Sequence, residues 1–251
     1  MSKEYTFDYS SIPLGFYDKI AKERKGMRSF WHYLKFQRII DYIEMIPNAS
    51  KIIDYGCFCG TFLGMLDNKK FKKQIGLDIL KDQIDYANSI YKTEFRDFML
   101  IEDYKSLENV EKTNVISIVE VIEHLEISQI EEILLFASDN LEKGGKLIFT
   151  TPNYLSTWPI LEIILNKVSE VNYEEQHITK FTYFNIDQKL RKINPKFSEE
   201  FETEFVTTSH FLTPFIAQLS FSLAAKLSKF APHNKWSFPF GNIIMICFNK
   251  K

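Results

Sequence analysis

The chain has 251 residues, 45% of them hydrophobic and 25% charged, proportions that exclude a disordered or fibrous protein and suit one globular domain. A formal net charge of −2 gives no basic footprint for long nucleic acids, and three cysteines, two of them at Cys57 and Cys59, are too few and too poorly spaced for a disulfide framework or a zinc site. There is no basic-plus-apolar leader and no apolar run of about 18 residues, so the expectation is a cytoplasmic protein without a membrane span.

Residues 1–28 are polar and aromatic around a Pro13-Leu14-Gly15 break and read as an irregular arm. From Ser29, a plausible N-cap, Phe30, Leu34, Ile39, Ile40 and Ile43 fall at helical spacings and predict an amphipathic helix ending near Pro47. Next, the apolar pair Ile52-Ile53 ends in Asp54, and Gly56 and Gly60 follow. That is the pattern of a buried parallel strand breaking into a tight turn and a helix N-terminus. Glycines without Cβ atoms let backbone approach a ligand, and the first helical turn points unpaired N–H groups at it. A second strand over 73–78 ends in Asp78, 18 residues after Gly60, where a nucleotide-binding βαβ unit places the carboxylate that takes both ribose hydroxyls.

Ile84, Ala87 and Ile90 predict a helix over 81–91, and 93–96 reads as a short third strand followed by Asp97-Phe98. The continuous apolar run 115–119 has the character of a central parallel strand. It ends at Glu120, and Glu123 and His124 come next. If a helical turn begins at Glu120, positions i, i+3 and i+4 share a face and two carboxylates project with an imidazole. An amphipathic helix over 127–141 is stopped by Lys143-Gly144-Gly145-Lys146, and 147–150 is the next strand. Thr151-Pro152-Asn153-Tyr154 then leaves on the edge shared with Gly56 and Glu120, where open α/β sheets bind ligands, so this segment is expected to border the acceptor pocket. Residues 154–176 read as an insertion whose apolar helix, opening at Trp158-Pro159, suits a lid. Strands over 201–209 and 241–248 form the expected antiparallel edge pair. Between them Thr213-Pro214 opens a helix of small and apolar residues to about residue 230, with Lys226 and Lys229 at its end. Three uses of it stay open: cover for a pocket, dimer contact, or peripheral contact with a membrane surface.

Together, Asp54-Tyr55-Gly56-Cys57-Phe58-Cys59-Gly60, Gly76-Leu77-Asp78, Glu120-Val121-Ile122-Glu123-His124 and Thr151-Pro152-Asn153 resemble class I S-adenosylmethionine-dependent methyltransferases. More narrowly, they resemble the bacterial group of quinone-biosynthesis and surface-glycan or lipid methyltransferases, over residues 48–190. The resemblance implies an α/β, Rossmann-like class I methyltransferase fold: a seven-stranded, mostly parallel sheet with an antiparallel final strand and helices on both faces. It implies a single domain over 1–251, with an N-terminal arm and covering helix (1–47), a cofactor-binding core (48–153), a lid-like insertion (154–180) and a C-terminal half (181–251) containing a 210–240 insertion. The implied cofactor is S-adenosylmethionine, with Asp54, Gly56, Cys57, Gly60, Asp78, Ile79 and Glu120 around it and Asp97 and Phe98 at the adenine. On the covering helix Trp31, His32, Lys35 and Arg38 are candidates to reach the methionine carboxylate or the acceptor, Arg38 foremost for its planar fork. There is one departure: the family usually has glycine where Phe58 stands, so the turn either points a bulky side chain away from the cofactor or has another shape.

Three readings of the Glu120, Glu123 and His124 group stay open. The resemblance implies Glu120 at the methionine end and His124 facing the acceptor. Alternatively Glu120, Glu123, His124 and His177 hold Mg²⁺, Mn²⁺ or Zn²⁺, as in the small-RNA 3′-terminal 2′-O-methyltransferases, whose Glu-x-x-Glu-His motif looks similar. In the third, the charges are a solvated helix start. His177 opens a stretch resembling the family's His-x-x-x-Phe-Thr and is a second candidate base. A hydroxyl acceptor must lose its proton, for which neutral His124 or His177 is suited. The expected function is O-methylation of a small-molecule, sugar or lipid-linked acceptor. A metal-dependent RNA 2′-O-methyltransferase and an inactive cofactor-binding partner subunit are the alternatives, and Phe58 motivates the last.

Overall fold

The computed structural model describes residues 12–101, 111–168, 177–228 and 238–251. The first strands are β1 (Lys51–Tyr55), β2 (Lys73–Asp78), β3 (Arg96–Leu100) and β4 (Thr113–Val119). With β5 (Leu141–Pro152), β6 (Phe201–Ser209) and β7 (Ile243–Lys250) they form a seven-stranded sheet in the order β3-β2-β1-β4-β5-β7-β6. Pairings are parallel from β3 to β5, and β7 runs antiparallel to both β5 and β6.

Burial follows place in the sheet. In β4 every residue but Asn114 is buried, as a strand covered on both faces requires, whereas β3 at the edge alternates buried Arg96 and Phe98 with exposed Asp97 and Met99. The period of two sends Ile52 and Ile53 into opposite cores. Ile53 joins Phe136, Phe149 and Phe248 under α5 (Ile127–Asn140), and Ile52 joins Ile39, Ile43, Phe62 and Val115 under α2 (Gly26–Ile43). The strand order reverses between β1 and β4, which opens a crevice at their carboxyl ends.

Several local readings are corrected. Helix α1 (Phe16–Glu23) occupies part of the expected irregular arm, the rest of which, residues 1–11, lies outside the described residues. Helix α2 begins at Gly26, so Ser29 is a buried helical residue and not the cap. Thr93 and Arg96 exchange backbone hydrogen bonds of 3.0 and 3.3 Å across a turn, which delays β3 to Arg96. α5 runs straight into β5 at Leu141; Gly144, with φ of 77°, lies inside that strand opposite a register shift in β4. The remaining helices are α3 (Thr61–Gly64), α4 (Lys81–Tyr91), α6 (Trp158–Val168), α7 (Ile186–Ile193), α8 (Pro195–Glu200), α9 (Thr213–Leu219) and α10 (Phe221–Ser228). α9 and α10 are the single helix expected from Thr213, broken at extended Ser220; the end of that expected helix, 229–230, and residues 169–176 of the expected insertion lie outside the described residues.

Helix α1 is too short to be stable alone and depends on a tertiary anchor. Buried Asp18 accepts from Thr61 Oγ1 at 3.0 Å, Tyr86 OH at 2.8 Å and Lys22 Nζ at 2.8 Å, and also from the Tyr91 hydroxyl. Burial raises the Asp18 pKa, but the donors, Lys22 and Tyr91 foremost, outweigh it and hold it below the ordinary value. The stabilisation is therefore complete above the unfolded carboxylate pKa of about 3.9 and is lost as pH falls through the folded value. Asp18→Asn should lower unfolding free energy by about 1–3 kcal/mol at neutral pH. Urea unfolding should show the difference from the parent narrowing below about pH 4.

Candidate functional site

A cavity of about 670 Å³ opens at the carboxyl ends of β1, β2 and β4 and is bordered by residues of α1, α2 and α6. The turn after β1 is built on left-handed residues: Gly56 at φ 79°, Phe58 at 47° and Gly60 at 76°. The amides of Gly56 and Cys57 both donate to Leu77 O, at 2.7 and 3.0 Å, which ties the turn to β2. A Cβ on Gly56 would sit 2.4 Å from Val121 Cγ2, and one on Gly60 would sit 2.6 Å from Phe98 Cε1. The glycines thus admit other parts of the chain; Gly56 and Cys57 border the cavity, while Gly60 does not.

Phe58 keeps the glycine-like conformation that its position demands, at a backbone cost of about 1–2 kcal/mol. Phe58 borders the cavity, its ring 5.5 Å from the Tyr17 ring. Its amide donates to Asp78 Oδ2 at 2.7 Å, and Leu80 N donates to Asp78 Oδ1 at 3.0 Å. Two backbone donors therefore orient the Asp78 carboxylate, and both partly offset the burial that raises its pKa. Exposed Ile79 adjoins it on the cavity wall. Asp54 accepts from Ser117 Oγ at 2.8 Å; burial, with Asp78 adding to it against Ser117 and Lys35, pushes its pKa up to about 7.

The turn after β4 pivots on Glu120, at φ 58° another strained left-handed residue, whose amide donates to Thr150 O at 3.0 Å. A single 3₁₀ turn over Ile122–His124 follows, instead of the expected helical turn from Glu120. Glu120, Glu123 and His124 nevertheless all border the cavity. Lys35 Nζ lies 3.6 Å from Glu120 Oε2, and Glu120 Oε1 is buried without a hydrogen-bond partner. Glu123 is 1% exposed, and neither of its oxygens has a partner of good geometry. Burial, and then Glu120, holds its pKa well above the carboxylate range, with the Thr151 hydroxyl and Lys35 acting against the rise.

The His124 and His177 rings are 5.0 Å apart, and Glu123, His124 and His177 each place one ligating atom within 4.8 Å of the others. Glu120 stands outside that trio, beside Lys35. His177 Nδ1 is clasped by Glu162 Oε1 at 2.6 Å and the Tyr154 hydroxyl at 2.9 Å. Burial raises the Glu162 pKa, but His177 and Tyr154 outweigh it and hold it below the ordinary value. Sequence reading gave Glu162 no role and named Tyr154 only as part of the segment leaving β5 beside the acceptor. The available signal was one acid inside the apolar run of α6.

Besides Gly60, three expected cofactor residues fall elsewhere. Asp97 and Phe98 lie within β3, not after it; Asp97 is exposed and paired with Lys92 at 2.8 Å, and Phe98 is buried against Gly60 and Gly76. Ile101, the residue after the strand, borders the cavity, and residues 102–110 lie outside the described ones. Arg38 is buried away from the cavity wall, its pKa pushed down to about 10 by burial. The helix presents Lys35 there instead, with Trp31 and His32. Trp31 meets Trp158 at 5.3 Å and His210 at 4.7 Å, and Tyr17 meets His32 at 5.1 Å, so an aromatic wall faces the carboxylates.

The family profile described as a methyltransferase domain matches residues 27–197. Among curated protein sequences none matches the chain. Solved structures do. The plantazolicin methyltransferase BpumL in complex with SAH aligns with a TM-score of 0.61 at 17% identity, covering 99% of this chain and 93% of that one. The methyltransferase domain of bacterial CtHen1 aligns at 0.58 with 15% identity, covering 86% and 97%. A SAM-dependent methyltransferase from Archaeoglobus fulgidus aligns at 0.57 with 16% identity, covering 97% and 100%.

Raising the Asp54 pKa has a thermodynamic sign. Unfolded Asp54 ionises near pH 3.9 and folded Asp54 near 7, so the parent loses stability as pH rises between those values. Asp54→Asn keeps an oxygen for Ser117 and removes the loss. Without added ligand it should exceed the parent by on the order of 4 kcal/mol above pH 7 in urea unfolding, with the gap closing toward pH 4.

Proposed function

The chain belongs to the methyltransferase domain family and is a class I S-adenosylmethionine-dependent methyltransferase, and from that premise we propose that it methylates an oxygen of a small-molecule, sugar or lipid-linked acceptor. The observation that carries this reading is one cavity bordered together by Asp54, Asp78, Glu120, His124 and His177. We take residues 1–251 as a single domain, with α2 and α6 as the parts that border the acceptor.

The residues suit the cofactor. Asp78, oriented by two backbone amides, can accept both ribose hydroxyls, and the exposed face of Ile79 can take the adenine ring. Buried Glu120 Oε1, without a partner, and Asp54 suit the cationic methionine end. When bound, the cofactor supplies a methyl group already activated on a sulfonium. What remains for the protein is to hold the acceptor in line, exclude water and take a proton. The aromatic wall of Trp31 and Trp158 does the first two. His124 faces the acceptor as base, and His177, held at Nδ1 by Glu162, stands beside it. Phe58 preserves the turn and the Asp78 clasp, which weighs against an inactive partner subunit.

Calorimetric titration with S-adenosylmethionine should give saturable binding, weakened about tenfold or more by Asp78→Ala. Transfer of labelled methyl to a panel of hydroxylated acceptors should fall by about 10²–10⁴ in kcat for His124→Ala, with cofactor affinity retained. Absence of cofactor binding would overturn the reading, and unchanged turnover in His124→Ala would remove that residue from it.

A second reading is favoured by Glu123, whose buried oxygens lack a hydrogen bond of good geometry and stand beside two imidazoles, His124 Nε2 being 4.0 Å from Oε1. Glu123, His124 and His177 can hold a divalent cation, and the Glu162 clasp on His177 is the outer-shell contact that metal-bound imidazoles use. Such a cation would hold two acceptor hydroxyls, as at the 3′ end of an RNA. Metal analysis should then find about one equivalent per chain, and Glu123→Gln should weaken metal affinity at least about tenfold. Metal-free protein with full methyl transfer would exclude it.

A further inference from the structure

Helices α9 and α10 bury one face and leave the other open. Ala217 and Ala224 pack on Phe30 and Leu34 of α2, with Ile216, Phe221 and Ala225 partly buried beside them. On the open side Leu212, Phe215, Leu219, Leu223 and Leu227 are exposed, Leu219 by 92% and Leu223 by 51%. Charge along this segment has one sign. From Phe205 to Phe240 the sequence holds no Asp or Glu and three lysines: Lys226, and Lys229 and Lys235, which lie outside the described residues.

The turn between α1 and α2 adds to it. Residues 22–28 carry four cations against the single Glu23. Arg24 stands 5.1 Å over the Tyr33 ring, which meets Phe221 of α10 at 5.3 Å, and Met27 N donates to Gln218 Oε1 of α9 at 3.2 Å. Exposed leucines flanked by cations are the pattern of helices that lie in the head-group zone of an anionic bilayer, with the apolar face sunk among acyl chains. No helix among the described residues is long and apolar enough to cross a membrane, so the contact is along its surface.

We propose that the α9–α10 pair docks the protein on an anionic lipid surface. A second copy of the chain is a poorer occupant. A two-fold contact would set this patch against itself and bring Arg24, Lys25 and Lys226 toward their own equivalents. Trp31, which borders the cavity, touches His210 at the entry to α9 and Trp158 at the start of α6, whose Ile160 and Ile163 are also exposed. Docking therefore brings the cavity wall to the membrane. On the methyltransferase reading above, the acceptor is one that carries an apolar tail and is taken from the lipid phase.

Flotation of the full chain with vesicles tests the docking. Binding is expected to an equal mixture of phosphatidylcholine and phosphatidylglycerol, weaker binding to phosphatidylcholine alone, and release by high salt. The Leu219→Asp, Leu223→Asp double variant should lose binding by at least about tenfold, and Arg24→Glu with Lys226→Glu should weaken it severalfold. No binding to the mixed vesicles, or undiminished binding of the leucine variant, would overturn the proposal. So would a concentration-dependent dimer that the leucine variant abolishes, which would assign the face to a second copy. Calorimetry with S-adenosylmethionine on the same samples reports folding of the variants. A parent that floats but fails to bind cofactor would leave the docking standing and overturn only the methyltransferase reading.

Discussion

The site depends on how closely two turns approach at the point where the strand order reverses. Gly56 after β1 has no room for a Cβ because Val121 after β4 already fills the place. That contact sets the distance between the arm holding Asp54 and Asp78 and the arm holding Glu120, Glu123 and His124. Left-handed backbone on both sides makes the approach possible: Gly56 at no steric cost, Glu120 at some. A parallel sheet supplies the crevice, and these two residues turn it into a cavity with chemistry on both walls.

The cavity concentrates acids. Asp54, Asp78, Glu120 and Glu123 share it, with Lys35 as the cation nearest Glu120. Buried carboxylates without matching cations take up protons, and the raised values of Asp54, Asp78 and Glu123 record that response. Such an arrangement is unfavourable for the empty fold and favourable for a ligand that brings positive charge and hydroxyl donors. Stability and binding are set against each other in the same few side chains.

Most strands were legible because apolar runs and glycine breaks report burial on both faces directly, while their arrangement in a mostly parallel sheet came from the resemblance. The lining of the cavity was legible where it follows a central strand, as at Asp54, Asp78 and Glu120. It was misread at Asp97 because an edge strand alternates, so an acid that faces solvent inside β3 looks like one that ends it. Arg38 was misread because helical spacing gives a face without saying what the face meets; burial among α2's neighbours left Lys35, not Arg38, at the cavity. Helix α1 escaped notice since its stability comes from Asp18 reaching Thr61, Tyr86 and Tyr91, contacts with no trace in local pattern. Glu162 escaped for the converse reason: one acid in an apolar helix reads as surface until a buried imidazole is found against it.

Helix α6 contributes Trp158 and Leu161 to the cavity wall and, from the same turns, Glu162 to the His177 clasp. One rigid element thus does two jobs. Any displacement of α6 that opens the wall also takes the carboxylate off His177 and leaves the Tyr154 hydroxyl alone at its Nδ1. Enclosure of the cavity and the carboxylate contact on His177 are therefore carried by one and the same helix.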